Sequence, residues 1–162
     1  MKVAIVGVGN RLMGDDGFGS CLAEIIKDNT LGAEVIDLDT SNLLNIDINK
    51  YDIVVLLDIA NIDSEYGIYE VKRSSDYDFS LHDLGLNLVL KLYEDKKFYV
   101  VACKPYIVDI NFRLSEECIN RMVKLFPIFK LFMEKFGVKI NLEVSDIEKL
   151  VKEKCLNILE DK

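Results

Sequence analysis

Short continuous apolar runs alternate along the chain with stretches whose apolar residues recur at helical spacing. The runs at 2–6, 33–36, 52–57, 67–71 and 98–102 read as strands. They are β-branched and mostly unbroken rather than alternating, as expected of strands covered on both faces. Phe18, Leu22, Ile25 and Ile26 mark a helix over 16–28, and a second is expected over 81–93. A third starts at Ser115 and runs through Ile119, Met122, Val123 and Phe126. Pro127 should kink or end it, because proline lacks the N–H and clashes one turn back.

Strands alternating with helices predict an α/β fold, a three-layer α/β/α sandwich on a mainly parallel twisted sheet of about five strands. One strand should be antiparallel. The segment 59–66 is too short for a crossover helix, so the runs 52–57 and 67–71 are expected to pair with each other. In the tail, Val138, Ile140, Leu142 and Val144 alternate like a half-exposed strand. Ser145 and Glu148 then have the spacing of a capping box before an amphipathic helix through Leu150, Val151, Ile158 and Leu159. With no repeat, linker or low-complexity stretch, residues 1–162 read as one domain whose 138–162 extension completes the core.

Composition narrows the function. Twenty basic against 28 acidic residues leave a net charge of −8, which argues against nucleic acid, whose affinity rests on clustered Lys and Arg. No apolar run reaches the roughly 20 residues of a spanning helix, so no membrane role is expected. The opening MKVAIVGVGN is too short and glycine-broken for a secretory signal and reads as a first strand. Cys21, Cys103, Cys118 and Cys155 form no CxxC pair. They suit reduced core residues of a cytoplasmic protein better than disulfides or a zinc site.

Chemistry in an open α/β sheet gathers beyond the carboxyl ends of the strands. Those ends carry the glycine loop from Gly7 to Gly19, then Asp37 and Asp39, then Asp58. The loop fails as a dinucleotide fingerprint, since Leu12 stands where the third glycine is needed. Asp15 and Asp16 would also repel a pyrophosphate at the helix start. A carboxylate there is stabilised by the helix dipole, so Asp16 reads either as a hard-oxygen metal ligand or as an N-cap. Asp58 either anchors its turn or faces a site. His82 is the chain's one histidine. Ser80 and Asp83 have capping-box spacing around it, placing the imidazole in a first helical turn, where N–H dipoles keep it neutral. It is then available to a cation, unless its role is structural. Asp16, Asp58 and His82 together would suit nickel, zinc, cobalt or iron, although spacing alone does not bring them together.

Gly7-Val-Gly-Asn10 followed by Gly14-Asp-Asp-Gly-Phe-Gly19 resembles the opening motif of the nickel-iron hydrogenase maturation endopeptidases. The run from Val54 to Asp58 and the segment from His82 to Leu86 match that family's second and third motifs in order. The resemblance implies an α/β/α fold and a metal site made by Asp16, Asp58 and His82. It assigns Asp37 to the family's further acid implicated in processing, and Gly9 and Asn10 to substrate binding. The implied task is removal of a short C-terminal extension from the hydrogenase large-subunit precursor after its nickel-iron centre is loaded. Nickel would come with the precursor, and zinc or cadmium can stand in for it. The expected partner is that precursor, and the expected state a monomer or weak oligomer.

Ile59 replaces the alanine common after the strand-three acid, and Ala102-Cys-Lys-Pro105 stands for Gly-Ile-Gln-Pro. Asn111 replaces a glycine, a change compatible with a left-handed backbone. The Lys/Ile-rich style points to the archaeal branch serving a deazaflavin-reducing hydrogenase. Two mechanisms stay open: attack by a water acidified on the metal, or general-base action by Asp16 or Asp37 with the metal only positioning the peptide. The competing readings are a non-catalytic metal- or precursor-binding assembly module and an atypical nucleotide binder.

Overall fold

The structure is a computed structural model and describes residues 1–71, 86–111 and 113–155. In chain order the elements are β1 (Val3–Val8), α1 (Phe18–Ile26), β2 (Thr30–Leu31), β3 (Glu34–Asp39), β4 (Ile53–Ile59) and β5 (Tyr66–Val71). They continue with α2 (Leu86–Leu92), β6 (Lys97–Cys103), α3 (Glu116–Glu134), β7 (Lys139–Ile140) and α4 (Val144–Lys154). Five strands form one sheet in the order β3-β1-β4-β6-β5. β1 runs parallel to both β3 and β4, β4 runs parallel to β6, and β5 is antiparallel to β6.

The expected antiparallel strand is present, but its partner differs. β6 lies between β4 and β5, so the runs 52–57 and 67–71 do not pair. Residues 60–65 step over the end of β6 instead. Crossing two strand spacings of about 4.8 Å each is well within the reach of six residues. A short loop thus excludes a parallel neighbour without requiring an adjacent one.

Every residue of β1 and β4 is buried, which explains their unbroken apolar sequence. Alternate side chains feed two cores. Ile5, Val55 and Leu57 pack with Phe18 and Leu22 of α1, Phe126 and Phe129 of α3, and Ile147 of α4. Val6, Val54, Leu56 and Val100 pack on the opposite face with Val89 and Leu90 of α2 and with Leu43, Ile48 and Tyr51. Each large side chain so buried contributes on the order of 1.5–3 kcal/mol. The layers are therefore helix, sheet and helix.

Local rules give way to packing in several places. α3 is capped by Ser115, whose hydroxyl accepts from the Cys118 N–H at 3.1 Å. It passes through Pro127 and ends only at Glu134, so of the two expected outcomes, a kink or an end, the proline does not end the helix. Phe126, Phe129 and Met133, all buried on both sides of the proline, supply the offsetting packing. In the tail, Val138, Ile140 and Leu142 are buried as the alternation requires, but only Lys139–Ile140 forms a strand, pairing with β2. The capping box of α4 uses Glu143 and Asp146, not Ser145 and Glu148, because the helix starts at Val144. Ile158 and Leu159 lie outside the described residues.

The cysteine expectation is half corrected. Cys21 of α1 and Cys155 after α4 form a disulfide with a Cα–Cα separation of 5.5 Å. The fold brings together residues 134 positions apart, a proximity no sequence spacing announces. Cys103 and Cys118 remain thiols, with sulfurs 3.9 Å apart. Their mutual hydrogen bond and burial push the Cys118 thiol well above its ordinary value.

Candidate active site

After β1 the chain runs through α1 to β3 on one side of β1, then returns to β4 on the other. This reversal opens a crevice at the carboxyl ends of β1 and β4, the place where such sheets bind ligands. Asp16 stands in the 3-10 turn Gly14–Gly17 that follows β1, and Asp58 is the penultimate residue of β4. The two sequence-derived acids therefore both stand at the carboxyl edge of neighbouring strands. They are 1% and 5% exposed, unusual for aspartates and a sign that both are held in place.

Close packing at this edge depends on glycine. Gly9 has φ of +133°, and a Cβ there would fall 1.9 Å from the Asp16 carbonyl oxygen. A Cβ on Gly19 would lie 1.9 Å from the Leu57 carbonyl oxygen. α1 can thus press onto β4 although Leu12 breaks the dinucleotide pattern; Gly19 supplies the close approach. Asp16 is not the N-cap of α1, a position taken by Gly17 without a side-chain bond. Its Oδ2 accepts the Asn10 N–H at 3.1 Å. The Gly9 N–H donates to the Asp39 carbonyl at 2.9 Å, and Asn10 Oδ1 accepts from the Leu12 N–H at 2.9 Å. Gly9 and Asn10 therefore shape the loop around Asp16.

The Asp58 Oδ1 accepts the Ile59 N–H at 2.8 Å. Leu57 and Ile59 belong to the α1 and α3 layer, whereas Leu56 and Ala60 belong to the α2 layer. Alternation along β4 thus assigns Asp58 to the α2 face. His82, with the capping box expected around it at 80–83, lies outside the described residues. Among the described residues no group of three or more His, Cys, Asp or Glu side chains gathers as a metal centre.

The β3 side of the edge is a charged groove of about 450 Å³ lined by Asn10, Arg11, Ser20, Asp37, Asp39 and Thr40. Asp37 Oδ1 accepts the Asp39 N–H at 3.1 Å, and its Oδ2 meets an Arg11 guanidinium nitrogen at 3.4 Å. Asp39 has a left-handed φ of 52°, next to the place where the β1–β3 register shifts so that Leu38 has no partner between Gly7 and Val8. Burial, and then the Asp37 charge, raise its carboxyl above the ordinary 3.8, against the opposing Arg11 and with a further push from Asp16. Among the described non-glycine residues only Asp39 has a positive φ, so Asn111 does not use the left-handed region open to it.

Two residues that organise this edge carried no functional signal in the sequence. Asp15 is fully buried and accepts from the Tyr106 N–H, the Ile107 N–H and the Ser115 hydroxyl on Oδ2, at 2.8, 2.9 and 2.8 Å. Its Oδ1 accepts the Ser115 N–H at 2.8 Å. Arg11 joins Ser20 through Nε at 2.9 Å, pairs with Glu24, and reaches the Lys154 carbonyl at 3.3 Å. Arg11 thus meets both Asp37 and Glu24 in space.

No family model matches the chain. It is, however, 31% identical over 145 residues to a Methanocaldococcus jannaschii protein named as a hydrogenase maturation protease, covering 78% of this chain and 92% of that one. The chain belongs to the hydrogenase maturation protease family. The fold agrees. The hydrogenase maturating endopeptidase HybD from E. coli superposes with a TM-score of 0.71 at 18% identity, covering 86% of this chain and 96% of that one. HybD from Thermococcus kodakarensis, a [NiFe] hydrogenase maturation protease, gives 0.66 at 21% identity over 82% and 99%. This maturation protease is accordingly a hydrolase of peptide bonds. Among the protease's described residues no helix is long and apolar enough to cross a membrane.

Proposed function

We propose that this endopeptidase removes a C-terminal extension from the nickel-loaded large-subunit precursor of a nickel-iron hydrogenase, reading the metal through Asp16, Asp58 and His82. The observation that supports the reading is that two buried aspartates stand at the carboxyl ends of the adjacent strands β1 and β4. Two carboxylates offset the charge of a divalent ion, and an imidazole adds a nitrogen donor suited to nickel. The ion is part of the substrate, and zinc or cadmium would serve as a stand-in.

In this reading the metal brings the scissile bond to the edge of the sheet, and the chain's own groups position and activate. Asp16 is held by the Asn10 N–H while its carboxylate borders the crevice. Gly9 and Asn10, on the same turn, hold the incoming peptide. Asp37 acts across the groove on the β3 side, ordered by Arg11, as the further acid of processing. Either Asp16 or Asp37 takes the proton from the attacking water, the role that a positioned carboxylate fills in general-base catalysis.

The test is processing itself. Purified protein mixed with nickel-loaded precursor should shorten the large subunit, seen by mass spectrometry, and His82→Ala should abolish the shortening. Unchanged cleavage by that variant rejects the ligand assignment. A stable complex with no mass loss from the unaltered protein would replace the enzyme with a binding module.

A further inference from the structure

Four large apolar side chains stand exposed at the carboxyl edge: Leu12, Tyr106, Val108 and Ile110, at 47%, 59%, 38% and 80%. One exposed leucine is ordinary, but a group on adjoining loops marks an interaction surface. The two loops are laced together. The Asn111 N–H donates to the Leu12 carbonyl at 3.1 Å, Gly14 to Asn111 at 2.9 Å, and Asp15 to Ile107 at 2.8 Å. Asp15 then fastens the 106–110 loop from below by accepting the Tyr106 and Ile107 N–H groups.

We infer that the 106–110 loop together with Leu12 is the surface on which an apolar segment of the precursor polypeptide docks, next to the bond that is cut. The inference rests on the endopeptidase reading above. Three observations select this occupant. The patch is continuous with the turn that carries Asp16, since Leu12 and Asp16 belong to one loop laced to residues 107 and 111. A client lying along this loop has the exposed Leu12 side chain within four residues of Asp16. The chain's charge of −8 disfavours anionic lipid and nucleic acid as alternatives. The anchoring by Asp15 presents the apolar tips on an ordered backbone, which lowers the ordering cost of association. Asp15 and Asp16 thus divide the work: one fixes the docking loop, the other faces the crevice.

The experiment uses the full chain and purified nickel-loaded precursor, with binding read by calorimetry and cleavage by mass spectrometry. Ile110→Asp combined with Tyr106→Ser should weaken binding and raise KM at least about tenfold while kcat stays within about twofold, as expected for lost anchor residues. Leu131→Asp, on the exposed face of α3, is the control and should leave both unchanged. Circular dichroism confirms that the double variant is folded. Equal binding by unaltered and double-variant protein overturns the docking surface even where cleavage proceeds. Binding that is lost in the double variant supports it even if the unaltered protein fails to cut, an outcome that rejects only the endopeptidase reading. A patch that instead holds two copies of this chain together, seen as a dimer that the double variant abolishes in sedimentation with precursor binding unchanged, also overturns it.

Discussion

The two sides of the glycine loop solve opposite problems with the same residue type. On the α3 side, Asp15 is sealed from water and receives four hydrogen bonds from Tyr106, Ile107 and Ser115. On the β3 side, Asp37 and Asp39 are exposed, lie close enough to raise the Asp39 carboxyl, and share one guanidinium. The first arrangement sets geometry, because one buried carboxylate holds donors from the 106–107 loop and from Ser115 together. The second sets charge, because its members are few, solvated and easily altered. A carboxylate at a strand end is therefore not one kind of signal. Its partners decide whether it builds the site or acts in it.

The sharpest way to break this contrast is to remove the sealed carboxylate. Asp15→Ala should cost about 3–5 kcal/mol, because four hydrogen bonds to one charged, buried acceptor are lost together. Urea unfolding measures it, and a loss under about 1 kcal/mol would place Asp15 with its exposed counterparts. Next in size is the disulfide, which fastens α1 to the end of α4 beside the Arg11 contact with Lys154. Cys21→Ser should lower stability by about 2–4 kcal/mol, as expected for opening a long loop. A melting curve that does not move on reduction would argue that the bond contributes nothing to the fold.

The β3 side should respond weakly in stability. Arg11→Ala is expected to cost about 1–2 kcal/mol, a few hydrogen bonds and partly screened ion pairs. Its larger consequence should be slower precursor cleavage through a misplaced Asp37. Equal cleavage rates would detach Asp37 from the reaction. Smallest of all is Asp39→Asn, which keeps a residue tolerant of the left-handed φ. The raised Asp39 carboxyl means that the folded chain holds this proton at pH values where the unfolded chain has released it. Stability from this group is thus greatest below 3.8 and declines as pH rises through the higher folded value. The variant should flatten that part of the pH profile, and an unchanged slope would assign it to other groups.

The α/β architecture was legible because β1 and β4 are buried on both faces and their composition says so. The position of Asp16 and Asp58 at one edge was legible because the ends of parallel strands gather on one side of the sheet. What the sequence hid was long-range. Asp15 meets Ser115 at a separation of 100 residues, and Cys21 meets Cys155 at 134. No local pattern encodes such contacts. Pro127 left two outcomes open, and core packing on either side of it, which outweighs one lost backbone bond, excludes the end of the helix. The partner of β5 misled because loop length limits reach without naming the neighbour.

Metal soaking of crystals, with zinc or cadmium standing in for the precursor's nickel and located by anomalous scattering, tests the proposed ligand set most directly. The account predicts one ion in the crevice between β1 and β4, within about 2.0–2.3 Å of an oxygen of Asp16, an oxygen of Asp58 and a ring nitrogen of His82. An ion bound elsewhere, or a crevice in which the His82 ring stays out of reach of both carboxylates, would contradict it.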